Sequence, residues 1–171
     1  MIKKYNIALV PYHKDDYKIF HDVAHNFIIE SGCAEHAGYF LKEDKIPHVS
    51  ICHFNAFESE IQTIKNTANV LLNSNFKEAI KLSFPMIKLA DGWCTLSVDK
   101  PNKVFNIKCL LMGTVIGNPL NESPPHLTLF NYRESLDYCP LVNHKIAAAE
   151  EIEFVMQVLD RDRHGQATVI L

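Results

Sequence analysis

The sequence predicts a single α+β domain with two similar lobes of mostly antiparallel sheet, flanking helices and an active groove between the lobes. A chain of 171 residues has the length of one compact domain. Each half contains a strand pattern, a helix pattern and a second strand pattern, and no low-complexity linker separates them. One short strand motif also occurs once in each half. We therefore expect one domain over residues 1–171, with lobes of roughly residues 1–88 and 89–171.

The first half alternates strand and helix patterns. Residues 5–10 contain the apolar run 7–10 and end at Pro11, which is typical of a buried strand. Apolar residues at steps of three and four predict a helix over 15–31, stopped by Gly32. A strand over roughly 47–54 and a helix over 59–72 complete this half.

The second half continues in the same way. Strands are expected at 79–89 and 93–98, on either side of the turn signal Asp91-Gly92. A helix over 104–116 ends at Gly117-Asn118-Pro119. A strand over 126–130 follows, and residues 151–159 and 167–171 form a closing hairpin.

The repeated motif is a Pro, a His, an apolar residue, a hydroxyl residue and another apolar residue. Its copies are Pro47-His48-Val49-Ser50-Ile51 and Pro125-His126-Leu127-Thr128-Leu129. On a strand, residues i and i+2 share a face, so each His lies on the face of its hydroxyl residue. The apolar residues then fill the core, and two imidazoles and two hydroxyls face a common groove.

This set of side chains suits phosphoryl transfer without a metal. In-line attack on phosphorus needs a base on the entering oxygen and an acid on the leaving oxygen. His48 and His126 can supply both, because imidazole titrates near neutral pH. Ser50 and Thr128 can donate hydrogen bonds to the non-bridging phosphate oxygens.

The two motifs resemble the paired His-x-Thr/Ser signatures of the 2H phosphoesterase superfamily, which includes RNA 2′,3′-cyclic phosphodiesterases and so-called 2′-5′ RNA ligases. The resemblance implies a bilobal fold with a pseudo-twofold axis, four active-site residues at His48, Ser50, His126 and Thr128, and no metal or other cofactor. It implies that water opens a 2′,3′-cyclic phosphate and leaves a 2′-phosphate. We prefer His126 as base and His48 as acid, and the near-symmetry leaves the roles exchangeable.

Three further residues are candidate substrate contacts. Phe130 lies two positions after Thr128, so alternation places it on the groove face, where it could stack on a base or simply pack. Tyr132 and Arg133 follow the second motif and could reach a base or a phosphate.

The composition restricts the partners. The chain has 17 Lys and Arg, 20 Asp and Glu and a formal net charge of −3, which argues against duplex DNA and an anionic membrane surface. We expect a nucleotide or short RNA as substrate. The five scattered cysteines and the absence of a signal peptide or membrane-length segment favour a reduced, cytoplasmic protein. We expect it to be a monomer.

Two other functions stay open. The same groove could belong to a non-catalytic module that binds nucleotides or RNA ends. His21 and His25 share a helix face and could begin a zinc hydrolase site, although a solvated helix flank explains them more simply.

Among the remaining residues, His53 has no partner at a useful spacing, Trp93 is expected in the core, and Arg161 is expected in a hairpin loop.

Overall fold

The computed structural model describes residues 2–30, 37–76, 78–90, 93–112, 124–132, 150–161 and 167–171, and for 37–40, 89, 90, 132 and 168 it describes the backbone alone. The described strands are β1 (Ile2–Pro11), β2 (Ala37–Phe40), β3 (Val49–Phe57), β4 (Ile80–Leu82), β5 (Met86–Ala90), β6 (Trp93–Ser97), β7 (His126–Tyr132), β8 (Ile152–Arg161) and β9 (Ala167–Ile170). The helices are α1 (Tyr17–Glu30), α2 (Ile61–Asn75) and α3 (Pro101–Leu111). The α+β class is therefore confirmed.

All of these strands join one antiparallel sheet in the order β4-β8-β1-β3-β7-β6-β5, with β2 added on β7 and β9 on β8. The join between β3 and β7 is one residue pair, Val49 opposite Leu127, whereas the ladders on either side are longer. The sheet therefore has two halves that meet at the two motifs.

One half of the sheet contains β4, β8, β1 and β3, and the other contains β7, β6, β5 and β2. Each half of the sheet contains strands from both halves of the chain. β8, from the second half of the chain, pairs with β1, and β2, from the first half, pairs with β7. A boundary near residue 88 therefore does not separate the strands of one sheet half from those of the other.

The strand expected over 79–89 is two strands that lie in different halves of the sheet. β4 pairs with β8, and β5 pairs with β6. Pro85 lies between them and has no backbone N–H to give to a ladder, which explains the break. The closing hairpin is confirmed, because β8 and β9 pair antiparallel.

The helices cover the face of the sheet opposite the motif histidines. α1 buries Phe20, Ala24 and Phe27 on one stripe, and Phe20 packs edge-on against Phe84 at a ring separation of 5.3 Å. α3 begins with Pro101 at its first position, three residues before the expected start, because proline suits a helix N-terminus. Within the described residues, no helix combines the length and apolarity needed to cross a membrane.

Candidate active site

The two motifs lie side by side at the junction of the sheet halves. Val49 and Leu127 are fully buried and form the pair that joins β3 to β7. The face of the sheet that carries His48, Ser50, His126 and Thr128 is called the groove face below, and all four of these side chains are half-buried. Because the strands run antiparallel, each motif histidine lies across from the hydroxyl residue of the other motif.

The two histidines are held in the same way. Nδ1 of His48 lies 2.7 Å from the Ile46 carbonyl oxygen, and Nδ1 of His126 lies 2.7 Å from the Pro124 carbonyl oxygen. A carbonyl only accepts, so each Nδ1 carries the proton and donates it. In both rings Nε2 is then left to accept a proton when the ring is neutral or to donate one when it is charged.

A β-bulge follows the first motif. Opposite β1, Ala8 pairs with Ser50 and Ile7 pairs with Cys52, so Ile51 is an extra residue in β3. As a result two consecutive residues, Ile51 and Cys52, both point into the core, with exposures of 3% and 1%. Every later residue of β3 has changed face relative to simple alternation.

The second motif carries the same bulge. Opposite β6, successive partners in β7 are Thr128 and Phe130, so Leu129 is the extra residue. The Leu129 carbonyl is not left unpaired, because it accepts a hydrogen bond of 2.8 Å from the Leu41 backbone N–H. The two motifs are therefore alike in backbone as well as in sequence.

The bulge makes the assignment of Phe130 to the groove face wrong. Phe130 is completely buried and packs against Phe27 of α1, with ring centroids 5.7 Å apart. Simple alternation from Thr128 fails because the extra residue Leu129 rotates the next side chain into the core. Phe130 is a packing residue and does not contact the groove.

The bulges instead bring His53 and Asn131 to the groove face. Each lies five positions after its motif histidine, and each is half-buried. The pKa of His53 is influenced by the charges of Arg161 and His48, so these three groups lie close together. Arg161 belongs to the end of β8, not to a hairpin loop. The expectation that His53 has no useful partner is therefore wrong.

The site has a positive electrostatic environment and is partly shielded from solvent. Burial lowers the pKa of His48 to about 4, and the nearby charges of Arg161 and His126 act in the same direction. Burial, followed by the charge of Arg161, lowers the pKa of His53 to about 4. Both imidazoles are therefore neutral at pH 7, and Arg161 supplies a charge that attracts a phosphate.

Ser50 is oriented by Asn6 of the neighbouring strand β1. Asn6 is 1% exposed, and its Nδ2 donates a hydrogen bond of 2.8 Å to Ser50 Oγ. Because Ser50 accepts this bond, its own hydroxyl hydrogen stays available for a group in the groove. On the other side, Thr128 lies opposite Thr95 of β6.

The other candidate residues fall elsewhere. Tyr132 is the last residue of β7, and its side chain is not described. Arg133 lies outside the described residues. Nε2 of the buried His21 lies 3.0 Å from the Lys45 carbonyl oxygen, so that nitrogen donates a hydrogen bond and is not free for a metal, while His25 is exposed. In the described part of the chain, no three His, Cys, Asp or Glu side chains are grouped as metal ligands.

A cavity of about 470 Å³ lies away from the motifs, between the start of α1 and the adjoining ends of β4 and β8. Four of its lining residues are acidic, namely Asp16, Glu150, Glu151 and Glu153. Such a lining repels phosphate, so the cavity is a poorer candidate for phosphoryl chemistry than the motif histidines.

Known structures share this fold. No family model matches the sequence, and no curated protein matches it. The chain is similar to E. coli LigT complexed with 3′-AMP, at 12% identity and a TM-score of 0.66, with 100% of this chain and 96% of that chain covered. It is also similar to E. coli LigT complexed with NADP+, at 11% identity and a TM-score of 0.65, covering 99% and 94%. A structure described as a phosphoesterase matches at 15% identity and a TM-score of 0.60, covering 99% and 95%. The chain therefore has the fold of these structures.

Proposed function

We propose that this protein is a metal-independent phosphodiesterase of the 2H type that hydrolyses 2′,3′-cyclic phosphates or 2′-5′ linkages of nucleotides or short RNA. The observation that carries the proposal is the matched pair of Nδ1–H bonds to the Ile46 and Pro124 carbonyls. They leave two Nε2 atoms for proton transfer, as in-line hydrolysis requires. The ligands named for the LigT structures, 3′-AMP, NADP+ and ATP, support a substrate of nucleotide type.

His48 is the general base in this mechanism. Its pKa of about 4 keeps Nε2 unprotonated at neutral pH, so it can take a proton from the attacking water. The water oxygen bonds to phosphorus as the bond from phosphorus to the 3′-oxygen breaks. The role of acid then falls to His126, which gives its Nε2 proton to the leaving oxygen. This reverses the preference drawn from the sequence.

The hydroxyls stabilise charge in the transition state. Ser50 and Thr128 donate hydrogen bonds to the two non-bridging oxygens of the phosphate, where negative charge accumulates. Asn6 keeps the Ser50 hydroxyl in the orientation that this requires. After the reaction the phosphate stays on the 2′-oxygen, His48 holds the proton taken from water, and His126 is neutral.

Single substitutions of the two histidines test the proposal. His48→Asn and His126→Asn should each reduce kcat/KM on a nucleoside 2′,3′-cyclic phosphate by about 10²–10⁴-fold. His25→Asn, which changes an exposed histidine of α1, is the matched control and should leave the activity unchanged. EDTA should have no effect on the parent enzyme. Full activity in either motif variant would falsify the mechanism.

A product-resolved panel separates catalysis from binding. The substrates are a 2′,3′-cyclic mononucleotide, an ADP-ribose cyclic phosphate, a 2′-5′ oligoadenylate and an RNA terminus. Turnover of any of them that is lost in His48→Asn supports the phosphodiesterase. Saturable binding with no turnover across the panel would instead assign the groove to a nucleotide-binding module.

A further inference from the structure

Trp93, the first residue of β6, is 46% exposed. The expectation that it lies in the core is therefore wrong. It is the only tryptophan in the chain. Exposure alone does not indicate a binding surface, because Phe105 is 56% exposed as well, so the position of Trp93 relative to the motifs decides its role.

The register of β6 places Trp93 on the groove face. Along β6, Cys94 and Leu96 are completely buried, so Trp93, Thr95 and Ser97 point to the other side of the sheet. Their partners across the ladder are the groove-facing residues of β7: Ser97 lies opposite His126, Thr95 opposite Thr128, and Trp93 opposite Asn131.

The next strand, β5, places a cationic side chain on the groove face. Lys88 of β5 is exposed and pairs with Thr95, so it also lies on the groove face. Thr128 is two strands away from Lys88, a separation of about 10 Å between their backbones. The flexible lysine side chain can cover much of that distance. Trp93 is the diagonal neighbour of Thr128, at roughly 8 Å.

These distances match the parts of a nucleotide. A phosphate held at Ser50 and Thr128 carries a ribose, and the base attached to that ribose reaches out by one further ring. We propose that Trp93 stacks on the base of the reacting nucleotide and that Lys88 binds the phosphate of the adjoining nucleotide. This rests on the proposed function and narrows its substrate class. The substrate is then an RNA-type end of two or more nucleotides, not a cyclic phosphate whose reacting ribose carries no base.

Fluorescence of the single tryptophan tests the stacking directly. In the intact His126→Asn protein, where hydrolysis does not interfere, adenosine 2′-monophosphate should quench the Trp93 emission in a saturable manner. Ribose 5-phosphate and inorganic phosphate should not quench it. No quenching by the nucleotide, or equal quenching by ribose 5-phosphate, would overturn the role of Trp93.

Activity measurements test the same inference independently. Trp93→Ala should reduce kcat/KM about tenfold or more on adenosine 2′,3′-cyclic phosphate and leave it unchanged on base-free ribose 2′,3′-cyclic phosphate. Phe105→Ala is the matched control, because Phe105 is 56% exposed on α3 and should affect neither substrate. Lys88→Ala should reduce kcat/KM on a dinucleotide with a terminal cyclic phosphate and not on the mononucleotide. Equal losses on both members of either pair, or no loss at all, would contradict the inference.

The two proposals fail in different ways. If the parent protein hydrolyses neither a cyclic phosphate nor a 2′-5′ linkage, the phosphodiesterase proposal fails, and the fluorescence titration still reports whether a base stacks on Trp93. If the parent hydrolyses both adenosine and base-free ribose cyclic phosphates with equal efficiency, the phosphodiesterase stands and the inference about Trp93 fails.

Discussion

Asn6 donates a hydrogen bond of 2.8 Å from Nδ2 to Oγ of Ser50, from one strand of the sheet to the next. The amide is 1% exposed, and its Oδ1 has no hydrogen-bond partner among the described atoms. A buried amide with an unsatisfied oxygen is costly, so its hydrogen bond to the Ser50 hydroxyl indicates a positioning role.

Removing the Asn6 amide should therefore weaken catalysis through Ser50. We expect Asn6→Ala to lower kcat/KM about tenfold, the equivalent of roughly 1.4 kcal/mol, because the hydroxyl loses its fixed orientation. In a Ser50→Ala background, Asn6→Ala should cause no further loss, since the two residues act as one unit. Gln157→Ala is the matched control, because it removes another side chain with a buried, unpaired oxygen from the neighbouring strand. Additive losses from Asn6→Ala and Ser50→Ala would contradict the positioning role.

The pH dependence of kcat/KM should identify His48 as the base. A base must be unprotonated, so activity falls as the pH drops through the pKa of His48, which is about 4. We expect an acid limb of the profile centred near pH 4. His53→Asn serves as the control, since the acid limb should survive the loss of the other low-pKa imidazole. An acid limb near pH 6.5 would assign the base to a different group.

Stability should also respond to the neutral histidines. The pKa of His53 is about 4 in the folded protein against an ordinary value of about 6.5, so the unfolded chain takes up a proton at higher pH. The resulting stability is present above pH 6.5 and is lost as the pH falls towards 4. His53→Asn should reduce the loss of unfolding free energy between pH 7 and pH 5 by up to about 2 kcal/mol.

Urea unfolding of both proteins at the two pH values measures this difference. If His53→Asn lost stability between pH 7 and pH 5 as steeply as the parent does, His53 would not be buried as a neutral group.

Substitution of Phe130 should mainly lower stability, whereas substitution of Thr128 should mainly lower activity. Phe130→Ala empties a fully buried site and should cost about 3–5 kcal/mol of unfolding free energy. Thr128→Ala removes a half-buried hydroxyl at the groove and should cost much less stability while reducing kcat. Denaturant unfolding and steady-state kinetics on both variants check the contrast. Parental stability together with a raised KM in Phe130→Ala would instead indicate that Phe130 contacts the groove.

Much of the site could be predicted because alternation along a strand is a local property. The spacing of His48 and Ser50, and of His126 and Thr128, needs only the period of two, and the structure follows it that far. The prediction failed from the bulges onwards, at Phe130 and at His53. A bulge depends on the register against β1 or β6, and such long-range pairing leaves no mark on the local pattern.

For the fold as well, local features could be predicted from the sequence and long-range pairings could not. Strands and helices were predicted where apolar periodicity is strong, as in α1 and the hairpin of β8 and β9. The pairing of β8 with β1 and of β2 with β7 could not be predicted, because each pair joins strands that are far apart in the sequence. Trp93 was placed in the core since tryptophan is usually well buried, and its exposure follows from its face on β6.

The exchange of β2 and β8 has a consequence for protein engineering. A cut near Pro85 would give two polypeptides, each with one histidine motif and neither with a complete half of the sheet, since β1 would lack β8 and β7 would lack β2. Such fragments would have to dock before either histidine had a partner. The topology therefore suits a split reporter, in which enzymatic output appears only when two fused binding partners bring the fragments together.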